Sequence, residues 1–485
     1  MNKNDEITKK NAKYFKERGI SLPKIKELAN PEIINKEKKE KLISIDKDSP
    51  NPLNLFRIHW HNNHNHSKFI HCPEYMVLPS ELTKIDAKII VNIGRLFPLI
   101  QAHKVLAAYA CLVPKLINGT FDYSNHKAIW PSTGNYCRGG VAISKILGCK
   151  GVAVLPEGMS RERFQWLEKW ISDPNDIIKT TGTESNVKEI YDACKNLEKD
   201  PTNKIINQFT EFNNYAVHRS VTGPSFEKSF LDVKGNSNLK PRIYVAASGS
   251  SGTLGAGDYL KNKLGTHTAV VEPLECPTLL KNGYGEHNIQ GIGDKHVPFI
   301  HNIMNNDFVV AVSDKSTDNL NLVFNTDIGK EYLINKIGLN KSFVDRLNEF
   351  GFSSIANIIA SIKLAKHMNL SKDDAIITVA TDGADLYSSE LEKTKNEFVG
   401  IYDSYSCDRI FKEHMIKINE DNILNLTQNE KERIFNLGYY TWVEQQEIDL
   451  ESFEKRNDQR FWDEQLNKFK NIDNEIENFN NLINN

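Results

Sequence analysis

The chain has 485 residues, of which 39% are hydrophobic and 26% charged, proportions that are ordinary for a globular protein with a sizeable core. Its 61 basic and 63 acidic side chains nearly cancel, so no overall field favours nucleic acid or an anionic membrane surface as a partner. The seven cysteines are scattered without a CxxC pair, and the N-terminus is polar, which predicts a cytoplasmic protein without disulfides or a signal peptide.

The order of polar and apolar segments along the chain predicts an α/β fold with extensions at both ends. Residues 1–50 are rich in Lys, Glu, Asn and Asp and predict a polar N-terminal extension. From about residue 400 onward the chain has long charged stretches and no strand-like run, which predicts a helical C-terminal extension. Between them, helix-length segments alternate with short β-branched runs at 88–92, 127–130, 151–155, 242–247, 268–272, 307–312 and 375–380. This alternation indicates βαβ units and parallel sheets buried on both faces.

A histidine-rich stretch precedes the first of these runs. Imidazole and thiolate groups can bind zinc or haem. The spacing matches no metal motif, however, and such a composition is typical of a polar loop. We therefore predict no metal at the side chains of His59, His61, His64, His66, His71 and Cys72.

Lys104 begins an apolar, alanine-rich segment, KVLAAYACLVPKL. Neighbours of this kind remove the amine from water, which lowers its pKa and makes it a nucleophile for an aldehyde. A single lysine at the start of a helix more often extends into solvent. The segment therefore gains significance only in combination with others.

Two strand-to-helix turns are suited to anions. Residues 249–253, Gly-Ser-Ser-Gly-Thr, lie between a strand and a helix, where free backbone N–H groups and the helix dipole favour a phosphate. Their glycine spacing fits neither a Walker loop nor a dinucleotide fingerprint, which disfavours a nicotinamide oxidoreductase. Residues 132–135, Ser-Thr-Gly-Asn, follow another strand and suit a carboxylate. Either turn alone could be an ordinary capped connection, but with Lys104 they suit a phosphorylated aldehyde and an amino acid.

Several longer segments carry a family resemblance. They are VLPEGMSRER at 154–163, NQFTEF…VTGP at 207–224, GSSGT at 249–253 and HNIQGIGDKHVP at 287–298. Over about residues 74–391 the chain resembles the fold-type II pyridoxal phosphate enzymes of the tryptophan synthase β-like superfamily. Within these it is similar to the cysteine synthase and cystathionine β-synthase branch.

The resemblance implies two three-layer αβα domains with parallel sheets, a site between them, and a homodimer. The large cofactor-binding domain would comprise 51–94 and 231–400, and the smaller substrate-side domain 95–230. The helical extension would then be 401–485.

The resemblance also implies a role for each residue that matches a family motif. Lys104 would form the Schiff base with pyridoxal 5'-phosphate and move the Cα proton, and Asn135 would bond the phenolic oxygen of the cofactor. The phosphate would lie on Gly249, Ser250, Ser251, Gly252 and Thr253. The substrate would lie on Ser132, Thr133, Gly134, Gln208 and Gly291.

A hydroxyl is expected opposite the pyridine nitrogen, and Thr381 matches this position best, with Asp382 as the alternative. A neutral hydroxyl leaves that nitrogen unprotonated and favours expulsion of a β-substituent, whereas an aspartate favours a long-lived carbanion.

The function implied is β-replacement or β-elimination on a small Ser- or Cys-like amino acid through an aminoacrylate, as in cysteine synthase. A serine/threonine dehydratase or a cysteine desulfhydrase is the alternative within the same class. The segment before Lys104 departs from the family pattern, with Phe97 where an Asn usually precedes the proline and Val105-Leu106 after the lysine. Together with the C-terminal extension, this departure keeps open a non-catalytic protein that binds the cofactor or regulates a partner.

Overall fold

Eleven β-strands form two separate sheets in the computed structural model, which describes residues 3–484. The strands are β1 (Tyr75–Val77), β2 (Lys88–Ile93), β3 (Lys127–Pro131), β4 (Lys150–Pro156), β5 (Ile177–Thr180), β6 (Asn203–Ile205), β7 (Lys240–Ala247), β8 (His267–Pro273), β9 (Phe308–Val312), β10 (Asp374–Ala380) and β11 (Ile423–Asn425).

The larger sheet has the strand order β1-β2-β10-β7-β8-β9-β11, and the smaller has β5-β4-β3-β6. Pairing is parallel throughout the small sheet and among the five central strands of the large sheet, whereas β1 and β11 add antiparallel edges. All seven predicted runs are strands, which confirms the α/β class. The four strands that were not predicted are short, with three or four residues each, so they carry little periodicity.

Helices cover the two sheets and build both extensions. The helices before residues 249–253 are α1 (Lys3–Arg18), α2 (Ile25–Ala29), α3 (Lys36–Leu42), α4 (Ser80–Thr83), α5 (Lys104–Ile117), α6 (Asn135–Ile146), α7 (Arg161–Trp170), α8 (Val187–Leu197), α9 (Phe212–Val217) and α10 (Gly223–Lys234). Those after it are α11 (Leu254–Leu264), α12 (Thr278–Lys281), α13 (Asp314–Asn325), α14 (Asp327–Asn335), α15 (Lys341–Asp345), α16 (Phe352–His367), α17 (Ser388–Glu397), α18 (Ser404–Phe411), α19 (Gln428–Tyr439), α20 (Leu450–Glu454), α21 (Gln459–Lys470) and α22 (Ile472–Asn484). No helix within residues 3–484 is long and apolar enough to cross a membrane.

The two ends of the chain pack against each other. Phe15 of α1 meets Phe479 of α22 edge to face, with ring centroids 5.5 Å apart. The Asp473 carboxylate accepts the first N–H of α2, and the Asn480 amide both accepts from and donates to the backbone of Leu22. The N-terminal extension is therefore held by the C-terminal helices as well as by α5.

The C-terminal extension is fastened to the core by buried aromatic and cationic side chains. The Arg456 guanidinium lies over the rings of Phe299, Phe435 and Phe453 and donates to the Phe299 carbonyl. The Trp442 indole donates to the carbonyl of Val297, within the 287–298 loop, at 2.7 Å. The extension is helical except for the edge strand β11, which pairs with β9 and which the charged sequence did not indicate.

Candidate functional site

The predicted site residues converge on one cleft at the carboxyl ends of β3, β7 and β10, the edge at which α/β sheets usually bind ligands. Only Gly134 and Gly252 are not part of its lining. The others line it together: Lys104, Ser132, Thr133, Asn135, Gln208, Gly249, Ser250, Ser251, Thr253, Gly291 and Thr381.

The phosphate-type turn, residues 249–253, is hydrogen-bonded to Lys104. The Lys104 Nζ donates to the Ser250 hydroxyl at 2.8 Å, and the Asn214 amide donates to the same hydroxyl at 3.0 Å. Among the described residues, the N–H groups of 249–253 donate to no protein atom. Backbone N–H groups without a protein acceptor therefore precede α11 in the same turn whose Ser250 hydroxyl accepts from the Lys104 amine.

Close packing explains one glycine of this turn. A Cβ at Gly252 would collide with the Asn214 side chain amide, so a larger residue would displace the group that fixes Ser250. The left-handed conformation falls instead on Ser251, whose φ is 67°, a strained value for a residue that is not glycine. The turn is thus shaped by crowding more than by the freedom of its glycines.

His103 supports the same turn from the residue before Lys104. Its Nε2 lies 3.1 Å from the Thr253 hydroxyl, and it belongs to the cleft lining. Burial and then the neighbouring Lys104 charge lower the pKa of His103 to about 3, so the imidazole is neutral. The sequence analysis assigned no role to His103.

The Lys104 amine has the electrostatics of a nucleophile. Burial lowers its pKa to about 8, and the Asp294 carboxylate opposes that shift. Burial in turn raises the pKa of Asp294 to about 7, against the pull of Lys104. About one tenth of the amine is therefore uncharged at pH 7, far more than for a lysine in water.

The substrate-type turn, residues 132–135, packs on a buried arginine, Arg163, that sequence reasoning missed. A Cβ on Gly134, whose φ is 152°, would run into the Arg163 side chain. Arg163 is fully buried and donates to the Tyr387 hydroxyl at 2.9 Å and to the Gln290 side chain. The family segment 154–163 contains this arginine, but the sequence does not show that Gly134 packs against its side chain.

Asn135 and Asp382 are bonded to each other. The Asn135 amide donates to the Asp382 carboxylate at 2.6 Å, and Tyr387 donates to the same carboxylate at 3.0 Å. Arg163 lies 3.9 Å from it. One N–H of Asn135 is thus already used, and Asp382 is engaged in a buried network that joins the two sheets.

Two hydroxyls of the cleft lining are candidates for the place opposite a pyridine nitrogen. Thr381 lines the cleft as expected, and so does Ser353 at the start of α16. Neither side chain has a hydrogen-bond partner among the described residues. The signal for Ser353 was available in Gly351-Phe352-Ser353-Ser354, a small-residue turn at a helix start like the two that were recognised.

The remaining substrate residues lie opposite the phosphate-type turn. Gln208 is buried, and its side chain has no partner within residues 3–484. Gly291 has a φ of 100°, and a Cβ there would meet no atom within 4 Å. The Gly291 N–H lies beside the carboxyl of Glu184, which is fully buried and which sequence reasoning did not single out.

The histidine-rich stretch is divided among separate partners. His61 contacts the Ile70 carbonyl and the Ser225 hydroxyl, His66 contacts the Leu96 carbonyl, and His71 pairs with Glu32. In the part of the chain that the structure describes, no three His, Cys, Asp or Glu side chains are grouped to hold a metal ion.

Comparisons with known proteins place the chain among pyridoxal phosphate enzymes. No family model matches it. Cysteine synthase B of Campylobacter jejuni is 32% identical over 256 residues, which covers 52% of this chain and 75% of that protein. A Staphylococcus aureus cysteine synthase is 27% identical over 265 residues, covering 53% of this chain and 74% of the relative.

Solved structures share the fold. A hydrogen sulfide-producing enzyme of Fusobacterium nucleatum matches with a TM-score of 0.53 at 23% identity, over 65% of this chain and 96% of that one. O-acetylserine sulfhydrylase isoform 3 of Entamoeba histolytica matches with a TM-score of 0.54 at 21% identity, over 70% and 92%.

Proposed function

The chain belongs to the cysteine synthase family, and from that premise we propose that it exchanges the β-substituent of a small Ser-like amino acid for an incoming nucleophile. The protein is a pyridoxal 5'-phosphate enzyme of amino-acid metabolism. The observation that carries the proposal is the Lys104 amine, partly withdrawn from water and 2.8 Å from the Ser250 hydroxyl of a turn with free N–H donors.

The residues of the cleft fit this cofactor. The N–H groups of 249–253 and the hydroxyls of Ser250 and Thr253 would hold its phosphate, and Lys104 would carry the covalent link. Asn135 retains one N–H for the phenolic oxygen, and Thr381 or Ser353 would face the pyridine nitrogen. When bound, pyridoxal phosphate supplies an electron sink that allows the Cα proton to be removed and a β-substituent to depart.

Asp382 does not suit the place beside the pyridine nitrogen. Its carboxylate already accepts from Asn135 and Tyr387 and lies next to Arg163. This engagement supports a hydroxyl, and hence elimination of a β-substituent over carbanion storage.

The other residues bind and orient the substrate. Among the described residues, the Thr133 N–H of the turn before α6 donates to no protein atom and would meet a carboxylate, whereas the Ser132 and Gly134 N–H groups are bonded to the Val154 carbonyl and the Ser132 hydroxyl. Gln208 offers an unpaired amide. Lys104, with its pKa near 8, would take the Cα proton and keep it at Nζ within the cleft. Arg163 positions the turn from below, because Gly134 packs directly on it.

The reaction to test is O-acetylserine with sulfide. The Cβ–O bond breaks and acetate leaves with its electron pair, while a Cβ–S bond forms from the sulfide electron pair, so nothing is oxidised or reduced. We expect cysteine and acetate in equal amounts. Pyruvate and ammonia from serine or cysteine alone, without cysteine formation, would instead identify a dehydratase or desulfhydrase.

A second measurement tests the non-catalytic alternative. Borohydride reduction of the pyridoxal phosphate-loaded protein, followed by peptide mapping, should place a stable adduct on Lys104. An adduct elsewhere, or none, would remove Lys104 from the proposed chemistry.

The finer features of the assembly are also proposals. We propose a homodimer, a cytoplasmic location and a domain division at 51–94 with 231–400 against 95–230. The support is the family membership and, for the division, the confinement of the small sheet to residues 127–205. Equilibrium sedimentation of the full chain tests the dimer.

A further inference from the structure

A cluster of buried aromatic rings lies next to Gln208, a residue of the cleft lining. The rings come from separate parts of the chain, namely α8, the segment after β6, the segment 296–299 and the C-terminal extension. This aromatic cluster consists of Tyr191, Phe209, His296, Phe299 and Trp442. The His296 ring is central to it, with its centroid 4.8 Å from that of Phe209 and 5.8 Å from that of Tyr191.

Trp442 is the member that the C-terminal extension contributes. Its ring centroid lies 5.5 Å from that of Phe299, 5.6 Å from that of His296 and 6.1 Å from that of Tyr191. Its indole N–H donates to the Val297 carbonyl at 2.7 Å. It lies in a π-type helical turn, a conformation that is frequent at functional sites. Since Trp442 is outside residues 74–391, the family resemblance implies no role for it.

The aromatic cluster reaches the cleft through Phe209, which directly follows Gln208. The Phe209 carbonyl accepts from the Ile300 N–H at 3.2 Å, and its N–H donates to the Asn207 side chain at 3.0 Å. On the other side, the Asn214 amide donates to the Gln208 carbonyl at 3.0 Å. The side chain of Gln208 is buried and has no hydrogen-bond partner within residues 3–484. Its position is therefore set by its backbone and by the packing of Phe209.

Ring contacts of this kind are suited to fixing positions. Aromatic pairs prefer particular distances and angles, and a close-packed interior leaves little room for one ring to shift alone. Phe209 meets His296 edge to face, at 75° between the ring planes, and Trp442 closes on His296 at 57°. Removing the contacts of Trp442 therefore allows His296, and with it Phe209, to move.

We propose that Trp442 is a positioning residue for the amino-acid substrate, because it completes the aromatic cluster that holds Phe209 and thereby places Gln208 in the cleft. This inference rests on the proposed function, in which Gln208 binds the substrate. The C-terminal extension then serves the substrate site, although none of its described residues belongs to the cleft lining.

Binding of L-alanine to the pyridoxal phosphate-loaded protein tests the role of Trp442 without turnover, because alanine has no leaving group at Cβ. The change in visible absorbance on titration gives the Kd. Trp442→Phe keeps one ring in the cluster but removes the N–H that holds the Val297 carbonyl. Its Kd for alanine should rise about tenfold, the size of one lost contact. An unchanged Kd would overturn the proposal.

A matched variant separates positioning from a general loss of stability. Trp462→Phe also removes a buried indole N–H, which donates to the Arg456 carbonyl at 2.9 Å, a bond that lies wholly within the extension. The two variants should lower the midpoint of thermal unfolding by similar amounts, but Trp462→Phe should leave the Kd for alanine within about twofold of the parent. An equal rise of the Kd in both variants would contradict a specific role for Trp442.

A double-mutant cycle tests whether Gln208 is the link. Gln208→Ala should raise the Kd about tenfold, and adding Trp442→Phe should raise it by no more than a further twofold or so. Fully additive effects, about a hundredfold in the double variant, would show that Trp442 acts by another route. Phe209→Leu tests the same link from the other end and does not depend on the folding of a Trp442 variant. It should raise the Kd about fivefold, again without effect in the Gln208→Ala background.

The proposed function and this inference fail on different measurements. Failure to form cysteine from O-acetylserine and sulfide, in a protein that binds alanine, would count against the proposed function. Equal Kd values for alanine in the parent and in Trp442→Phe would count against the positioning role alone.

Discussion

The two sides of the cleft differ in how their polar groups are paired. Around the 249–253 turn the side chains hold one another: Lys104 and Asn214 donate to Ser250, and His103 contacts Thr253. In the loop after β5, Glu184 and Ser185 are fully buried, and among the described residues neither side chain has a hydrogen-bond partner of normal geometry. On this first, paired side the side chains are fixed, although the N–H groups of 249–253, His103 Nδ1 and Asn214 Oδ1 have no partner among the described residues; on the second, unpaired side both oxygens of the Glu184 carboxyl lack one.

This difference separates a permanent occupant from a transient one. A cofactor that stays bound benefits from side chains that are already fixed, because little ordering remains to be done on binding. A substrate that enters and leaves must supply interactions that the protein lacks when it is absent. The unpaired side therefore carries a free-energy cost in the ligand-free state, while the paired side contributes to folding.

The largest expected effect comes from removing the amine of the paired side. Lys104→Ala should lower kcat for O-acetylserine and sulfide about 10³-fold or more, since proton transfer and the covalent link are both lost. Steady-state rates and the visible absorbance of the loaded protein measure the two losses. Lys104→Arg, which keeps a charge of similar reach, should be as inactive, and an active arginine variant would contradict the assigned role.

Breaking the network between the two sides should cost the most stability. Burial works against the Arg163 charge, but Tyr387 and Asp382 outweigh it and raise the pKa of Arg163. Arg163→Met leaves Asp382 buried without its cation and should destabilise the fold by about 3–5 kcal/mol in urea unfolding. The exposed Arg460→Met should change stability by less than about 0.5 kcal/mol, and equal effects in the two variants would show that the network is not a structural tie.

The sequence predicted the paired side far better than the unpaired one. Turns such as 249–253 can be predicted from a few adjacent small residues at a helix start. Glu184, Asp294 and Arg163 matter only because loops from two sheets bring them together, and no local pattern encodes that meeting. Ser353 is intermediate, since its Gly-Phe-Ser-Ser turn was readable but lies outside the expected register. Strands of three residues, such as β11, were not predicted because they are too short to show a periodic pattern.

Crowding at the paired side predicts an intermediate effect. Gly252→Ala places a methyl group against the Asn214 amide, so the turn must move and Ser250 loses its second donor. We expect a cost of about 1–3 kcal/mol, the usual range for overpacking, and weaker retention of pyridoxal phosphate on dialysis. In Gly438→Ala the nearest atom to the new methyl is 3.6 Å away, within a helix. That control should be neutral or stabilising by up to about 1 kcal/mol.

An effect that appears only at high pH tests the unpaired side. Burial raises the pKa of Glu184 well above its usual value, with Asp294 adding to the shift and Arg163 and Thr133 opposing it. In the folded ligand-free protein the carboxyl therefore keeps a proton that the unfolded chain releases above pH 4.5. Stability is then fully present below that pH and decreases as pH rises toward the folded pKa.

Glu184→Gln cannot lose that proton, so its stability relative to the parent should increase with pH. Thermal unfolding at pH 5 should give nearly equal midpoints, whereas at pH 8 the variant should be more stable by about 1–3 kcal/mol, the cost of one unsatisfied buried group. Asp294→Asn should follow the same sign, with the difference complete near pH 7, where its own pKa lies. A stability difference between Glu184→Gln and the parent that did not change from pH 5 to pH 8 would contradict a raised pKa of the buried Glu184 carboxyl.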